Sequence, residues 1–294
     1  MELRASVNSM LIDRSCSLIT HSGIEQVQRR PTIFLSNHSD IVREPAGINY
    51  VLAKEQLPVA YVGMGSNLYR HPLLWPIIAL QPNFSIPRQE GRGRHIAMRI
   101  NSLLDEGKNI WIAQSKGRSR TGDFRTEITI LPGLAKARGV SIQQYCETFN
   151  IVPVAVSAAY EPAAEIVAKL AAKQRLPWWS DIESIVRGTV GYKGDMHIAF
   201  NAPISGTGKP SEVSNAIDTA IHQSYKCFST HAQAYDERKH LPIHEWSTAP
   251  VNFALIRDSR LRQQIQQAPR ELQPRIVSMY AYPFKNSMVY QNSL

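Results

Sequence analysis

The sequence predicts an α/β fold: a mixed central sheet flanked by helices, with a helical C-terminal extension. Three observations predict it. Between about residue 30 and residue 205, apolar runs of strand length alternate with longer stretches of helical spacing. Prolines and glycines punctuate the joins. The 294 residues are 43% apolar and 19% charged, enough to build a sizeable core, and this composition excludes a disordered or low-complexity chain.

The elements follow in order. Residues 32–35 (TIFL) read as a buried strand, and residues 46–56 as a helix opened by Pro45 at its first position, with Gly47 loosening its first turn. Residues 59–62 form a second strand and residues 84–86 a short third one. Residues 94–106 place Ile96, Ile100, Leu103 and Leu104 at helical spacing, with Gly107 as the stop. Residues 109–114 (NIWIAQ) and 151–157 (IVPVAVS) are two further strands. Glycines at 188, 191 and 194 punctuate residues 184–204, which suggests a strand pair at the sheet edge. A helix covers residues 211–225. Beyond residue 236 the chain is polar and proline-interrupted, with helical potential around residues 252–267. The expected division is an N-terminal segment (1–29), the α/β domain (30–235) and the helical extension (236–294), with no internal repeat.

Charge and cysteine usage narrow the function classes. Thirty-three Lys and Arg against 24 Asp and Glu leave a net charge of +9. Cys16, Cys146 and Cys227 are odd in number and form no CxxC pair, so neither a disulfide framework nor a cysteine zinc site is indicated, and a reducing, cytoplasmic compartment is the default. A spanning helix needs about 18 uninterrupted apolar residues, and the nearest run, LLWPIIAL at 73–80, is short and broken by Pro76. The first twenty residues lack an apolar block followed by a small-residue cleavage site, which argues against export. The positive charge then fits nucleic acid, an anionic membrane surface or phosphorylated substrates. Nothing resembles a helix-turn-helix, an RNA-recognition motif or aromatic-basic interleaving, so nucleic acid is not expected.

The chemistry concentrates in Ser36-Asn37-His38-Ser39-Asp40-Ile41-Val42-Arg43-Glu44-Pro45, directly after the first predicted strand. A histidine near a carboxylate can act as a general base, because the carboxylate fixes the imidazole and stabilises the imidazolium. On an ideal helix His38 and Glu44 would stand about 120° apart. Pro45 disfavours helical geometry at Glu44, so the stretch reads as a loop that bends His38 toward Glu44, with Asp40 as the nearer competitor. The plainer reading makes Asn37, Ser39 and Asp40 turn formers and helix caps around a surface histidine. A second concentration lies between residues 86 and 125, where nine basic residues face four acids, more than half the excess charge of the chain. Arg88, Lys116 and Arg118 fall in loops at strand ends, and Gly117 would let backbone amides approach an anion. The alternative there is a solvated basic face.

The order of these pieces resembles the glycerolipid acyltransferase superfamily, the 1-acylglycerol-3-phosphate acyltransferase-like enzymes. Asn37-His38 with Glu44-Pro45 is similar to the first block of that family. Phe84-Ser85-Ile86-Pro87-Arg88 looks like the second, Trp111-Ile112-Ala113-Gln114 through Gly117-Arg118 the third, and Ile151-Val152-Pro153-Val154-Ala155-Val156 the fourth. A bacterial subgroup also accounts for Gly65-Ser66-Asn67-Leu68, Lys193-Gly194-Asp195-Met196-His197 and Met279-Tyr280-Ala281-Tyr282-Pro283.

The resemblance implies an acyltransferase-like sheet and transfer of a fatty acyl group from a thioester, acyl-CoA or acyl carrier protein, to a hydroxyl of a lysophospholipid or glycerol-phosphate acceptor. His38 would be the general base and Glu44 (or Asp40) its partner, while Asn37, Arg88, Lys116, Gly117 and Arg118 would serve substrate binding. No cofactor beyond the thioester co-substrate is implied, and the nine histidines include no HExxH metal spacing. A lipid acceptor implies peripheral attachment to an anionic membrane, at its inner face for a cytoplasmic protein. Residues 73–80 and the Trp178-Trp179 pair are candidate contacts, and ordinary core packing is the alternative for both. The chain departs from the family pattern at three positions: Glu44 stands for an aspartate one residue nearer His38, Ser39 for an arginine, and Lys116 for the third-block glutamate. The last two keep open a relative that binds lipid or an anionic surface with weak or no catalysis.

Overall fold

Strands buried on both faces read as near-continuous apolar runs, and Ile33-Phe34-Leu35 supplies one at the centre of the sheet. The computed structural model describes residues 2–27, 30–70, 72–87, 91, 93–115, 117–177, 179–205 and 208–291. Helix α1 (Glu2–Ser15) leads into β1 (Cys16–Ser22). Then come β2 (Thr32–Ser36), α2 (Arg43–Lys54), β3 (Ala60–Gly65), the short α3 (Trp75–Ile78) and β4 (Asn83–Ile86). Helix α4 (Gly93–Asp105) precedes β5 (Asn109–Ala113), and a long loop reaches α5 (Ile130–Arg138) and α6 (Ile142–Thr148). Strand β6 (Asn150–Ala158), α7 (Ala164–Ala171), α8 (Ser180–Val190) and β7 (Gly194–Phe200) follow. Helices α9 (Pro210–Ser224), α10 (Ser229–Arg238), α11 (Ser259–Gln267) and α12 (Gln273–Gln291) complete the described chain.

Among the described residues seven strands make one sheet, in the order β1-β7-β6-β2-β5-β3-β4. Strands β2 to β6 are mutually parallel; β7 runs antiparallel to β6, and β1 lies parallel to β7. The sheet is therefore mixed, as the sequence predicts. Alternate side chains feed two cores. Ile33, Leu35, Ile110 and Ile112 point to a layer completed by α4, α5, α6 and α9. Phe34, Trp111, Val152 and Val154 point to one completed by Ile12 of α1 and Ile48, Val51 and Leu52 of α2. Each fully buried aliphatic side chain contributes about 1.5–3 kcal/mol. A third apolar cluster ties α7 to α10, α11 and α12.

Three sequence expectations shift. Residues 184–204 do not form a strand pair: α8 occupies their first part, and β7 takes its outer partner from β1 instead. Gly188 and Gly191 are glycines because Asp40 and Pro162 pack where a Cβ would stand; of the three only Gly194, the first residue of β7, has a left-handed backbone, at φ +66°. The helix expected from residue 46 begins at Arg43, so Glu44 is helical. Asp40 makes this possible, its Oδ1 accepting the N–H groups of Val42 (2.7 Å) and Arg43 (3.0 Å), and Pro45 sits in the first turn, where an N–H has no helical partner. The helix expected around 252–267 starts only at Ser259, with Asp258 Oδ1 accepting from Leu261 N at 2.7 Å.

The C-terminal ends of β2 to β6 share one edge of the sheet. In open α/β sheets this edge is where loops assemble sites.

Candidate active site

Two buried anchors fix the chain as it leaves β2. Trp111 Nε1 donates to Ser36 Oγ at 3.0 Å, and Ser36 Oγ donates to the Asn37 carbonyl at 2.8 Å. The Asn37 amide bridges to β6, its Nδ2 donating to Val156 O (2.9 Å) and its Oδ1 accepting from Val156 N (2.8 Å). Both ends of that amide are thus engaged with backbone, and its visible work is to hold β2 against β6.

His38 follows, with its ring set edge-on to Trp111 at 5.9 Å and its carbonyl accepting from Ser119 N at 2.6 Å. Its side chain keeps 14% of its surface open, while Glu44 is fully buried. His38 Nδ1 stands 3.7 Å from Glu44 Oε2, beyond hydrogen-bond length but close enough for the carboxylate to support positive charge on the ring. Glu44 Oε1 accepts from Ser39 N at 3.1 Å, and its Oε2 accepts from Asp40 N at 3.2 Å. Burial pushes the Glu44 carboxyl up, but Arg43 and His38 beside it outweigh this and hold it below the usual range. Glu44 is therefore an ionised partner for the imidazole. Asp40, the alternative partner, turns its Oδ1 to the first N–H groups of α2, while its Oδ2 is buried with no hydrogen-bond partner among the described residues.

The basic loops give a partial picture. Arg88 and Lys116 lie outside the described residues. Gly117 adopts φ +89° with open space beside its Cα, the left-handed geometry only glycine takes without strain. Arg118 Nη1 donates to Ser184 Oγ of α8 at 2.5 Å, and burial lowers its pKa although Asp40 and Asp181 pull the other way. The loop from 114 to 126 is pinned at several points. Gln114 N donates to Ser36 O at 3.0 Å, Thr126 N and Oγ1 donate to Asp218 Oδ1 of α9 at 2.7 and 2.6 Å, and Asn286 of α12 donates to Asp123 Oδ1 at 2.7 Å. His38, Glu44, Gly117 and Arg118 thus gather at one edge of the sheet.

Two residues of this cluster carried no role in the sequence reading. Arg43 is wholly buried, donating from Nη2 to Glu44 Oε1 at 2.7 Å and from Nη1 to Glu161 Oε1 at 2.5 Å. Glu161 lies three residues past the end of β6, at the same sheet edge. Its position as an acid just beyond a buried parallel strand was the available signal. Chemically, the arrangement offers a partly open imidazole backed by an ionised carboxylate, a proton acceptor beside a cationic loop. Among the described residues no group of His, Cys, Asp or Glu is placed to hold a metal ion.

Residues 18–157 match a family model described as Acyltransferase, a span from β1 into β6 that includes His38, Glu44, Gly117 and Arg118. No curated protein matches the chain. The fold is similar to the crystal structure of the 1-acyl-sn-glycerophosphate (LPA) acyltransferase PlsC from Thermotoga maritima, at 14% identity and a TM-score of 0.47, over 75% of this chain and 74% of that one.

Proposed function

We propose, from the premise that residues 18–157 are a domain of the acyltransferase family, that the protein moves a fatty acyl group from a thioester to a hydroxyl of a glycerol-phosphate or lysophospholipid acceptor. The observation that carries this reading is the partly open His38 set 3.7 Å from a buried, ionised Glu44 inside the matched span. With Nδ1 turned to Glu44, Nε2 is left to take the acceptor proton. The acceptor oxygen attacks the thioester carbonyl, the carbon–sulfur bond breaks, and His38 returns its proton to the departing thiolate. Products are an ester and a free thiol. The thioester is already activated, so no covalent acyl-enzyme is required and proximity supplies much of the rate.

Gly117 and Arg118, with Arg88 and Lys116, would receive the acceptor phosphate. Exchanging the neutral Ser184 hydroxyl for a phosphate oxygen gives Arg118 a stronger, charge-assisted bond. Contact with an anionic bilayer fits such an acceptor. No described helix is long and apolar enough to cross a membrane, while Trp75 and Trp179 are 57% and 53% exposed, suited to the lipid–water boundary. Trp178 lies outside the described residues, and Leu74 and Ile78 pack inward, leaving Trp75 as the well-exposed large side chain described in residues 73–80.

The test is esterification by purified protein given acyl-CoA or acyl carrier protein thioester with lysophosphatidate. Product should form with the native chain and vanish in His38→Ala. Turnover no higher than in His38→Ala removes the reading for these substrates, and liposome binding that survives the substitution would then favour a lipid-binding relative without catalysis.

A further inference from the structure

Arg43 is shared between two carboxylates, and only one of them faces the base. Its planar guanidinium joins Glu44 Oε1 through Nη2 and Glu161 Oε1 through Nη1. With Oε1 of Glu44 occupied by Arg43 and Ser39 N, the oxygen presented to His38 is Oε2. Glu161 is itself immobilised from the C-terminal helices. Its N–H donates to the Tyr280 hydroxyl of α12 at 2.7 Å, its carbonyl accepts from Gln264 Nε2 of α11 at 2.6 Å, and Tyr280 donates to Gln264 Oε1 at 2.8 Å. None of Glu161, Gln264 or Tyr280 falls within the acyltransferase-matched residues.

We propose that Glu161 is a positioning residue for the His38–Glu44 pair, acting through Arg43. The proposal rests on the acyl-transfer reading for its consequence in catalysis, though its physical effect on His38 does not need turnover. Two effects combine. Held between two anions, the guanidinium fixes the rotation of the Glu44 carboxylate. The negative charge of Glu161 also offsets Arg43, so the charge on Glu44 stays available to the imidazolium that forms when His38 takes a proton. If Glu161 is neutral, Arg43 neutralises Glu44 instead, and the imidazolium loses support.

The surroundings place this control in a useful range. Burial pushes Glu161 up to about 7; Arg43 opposes the rise, while Glu44 and Asp40 add to it. The other ionisable groups around the array are Tyr225 after α9, His231 of α10, Tyr280 of α12 and Lys193 ahead of β7. Burial keeps the two tyrosines protonated and His231 neutral, and lowers Lys193. Raised to about 7, Glu161 is a carboxyl whose charge can change within the working range of an enzyme.

The experiment follows the His38 imidazole by NMR titration in the full chain, its resonance assigned by loss in His38→Ala, for the native protein, Glu161→Asp and Glu161→Gln. Gln keeps an acceptor for Arg43 without the charge; Asp keeps the charge, drawn back by one methylene. The His38 midpoint should fall in the order native, Asp, Gln. With lysophosphatidate and acyl-CoA, Glu161→Gln should lose about tenfold in kcat with the acceptor KM within about twofold. An unmoved His38 midpoint in either folded variant overturns the proposal, and if Glu161→Gln does not fold, Glu161→Asp alone decides it. Absence of turnover in the native chain, with the midpoint shifting as described, would remove the acyl-transfer reading and leave the positioning role intact.

Discussion

Asp40 and Gly188 touch so closely that a Cβ added to Gly188 would lie 2.8 Å from Asp40 Oδ2 and nearer still to Oδ1. The carboxylate cannot rotate away without releasing the Val42 and Arg43 N–H groups that begin α2. Gly188→Ala should therefore cost about 1–3 kcal/mol of stability through loss of that cap and local overpacking. It should also lower esterification, since Glu44 stands in the turn that Asp40 caps. Urea denaturation beside the activity assay checks both.

Glu44→Gln removes the charge facing His38 while keeping oxygen and shape. A base whose imidazolium loses its carboxylate should lose about 100-fold or more in kcat. Stability should fall by on the order of 1–3 kcal/mol, because Arg43 keeps Glu161 as a partner. An activity close to native would exclude Glu44 as the partner of the base.

Asp218→Ala probes the cationic loop from a distance. It strands the Thr126 N–H, the Thr126 hydroxyl and one Gln114 amide proton, which donate to Asp218 Oδ1 at 2.7, 2.6 and 3.3 Å. Expected are a stability loss of about 2 kcal/mol and a raised KM for lysophosphatidate, with a smaller change in kcat. A variant altered in kcat alone would separate the loop from acceptor binding.

Stability should fall in acid for a reason located in α10. His231 is buried, with Nδ1 accepting from Phe228 N at 3.0 Å; burial, with Arg43 adding, pushes it down to about 3. The unfolded chain takes that proton near pH 6.5 and the native chain does not, so the contribution of His231 is full above 6.5 and drains as pH falls toward 3, at about 1.4 kcal/mol per unit. Glu161 works in the opposite sense: raised to about 7, it contributes fully below its unfolded value and loses that contribution as pH rises through 7. His231→Gln can still accept from Phe228 N and should remove about 2 kcal/mol of the native loss between pH 7 and pH 5. Urea midpoints at the two pH values measure the difference.

What could be read from the sequence follows physical lines. Strands β2, β5 and β6 are buried on both faces, so their apolar runs stand out. Strand β1 (CSLITHS) is half-exposed and polar, and its partner β7 arrives far later in the chain, so neither composition nor local period reveals it. Gly188 and Gly191 resemble turn glycines in sequence because close packing and turning both call for a missing Cβ. His38 and Glu44 belong to one short segment, so their nearness was legible, but its cause was not: the sequence suggested a loop through Glu44, whereas Glu44 lies in the first turn of α2. Arg43 and Glu161 stand 118 residues apart and meet only because β2 and β6 are neighbours, a fact of topology.

The pairing of β1 with β7 has a consequence for biogenesis. Lys193 Nζ donates to Ser15 Oγ across 178 residues of chain, and the edge strand cannot dock until that far portion is made. At about 5–20 residues per second, a nascent chain waits roughly 10–35 s with its first strand unpaired. Throughout that interval the strand is a site for chaperones to shield and for neighbouring nascent chains to capture. A slowly translated message should thus yield more aggregate than a fast one, and a chain with β1 deleted should expose the free edge of β7 permanently.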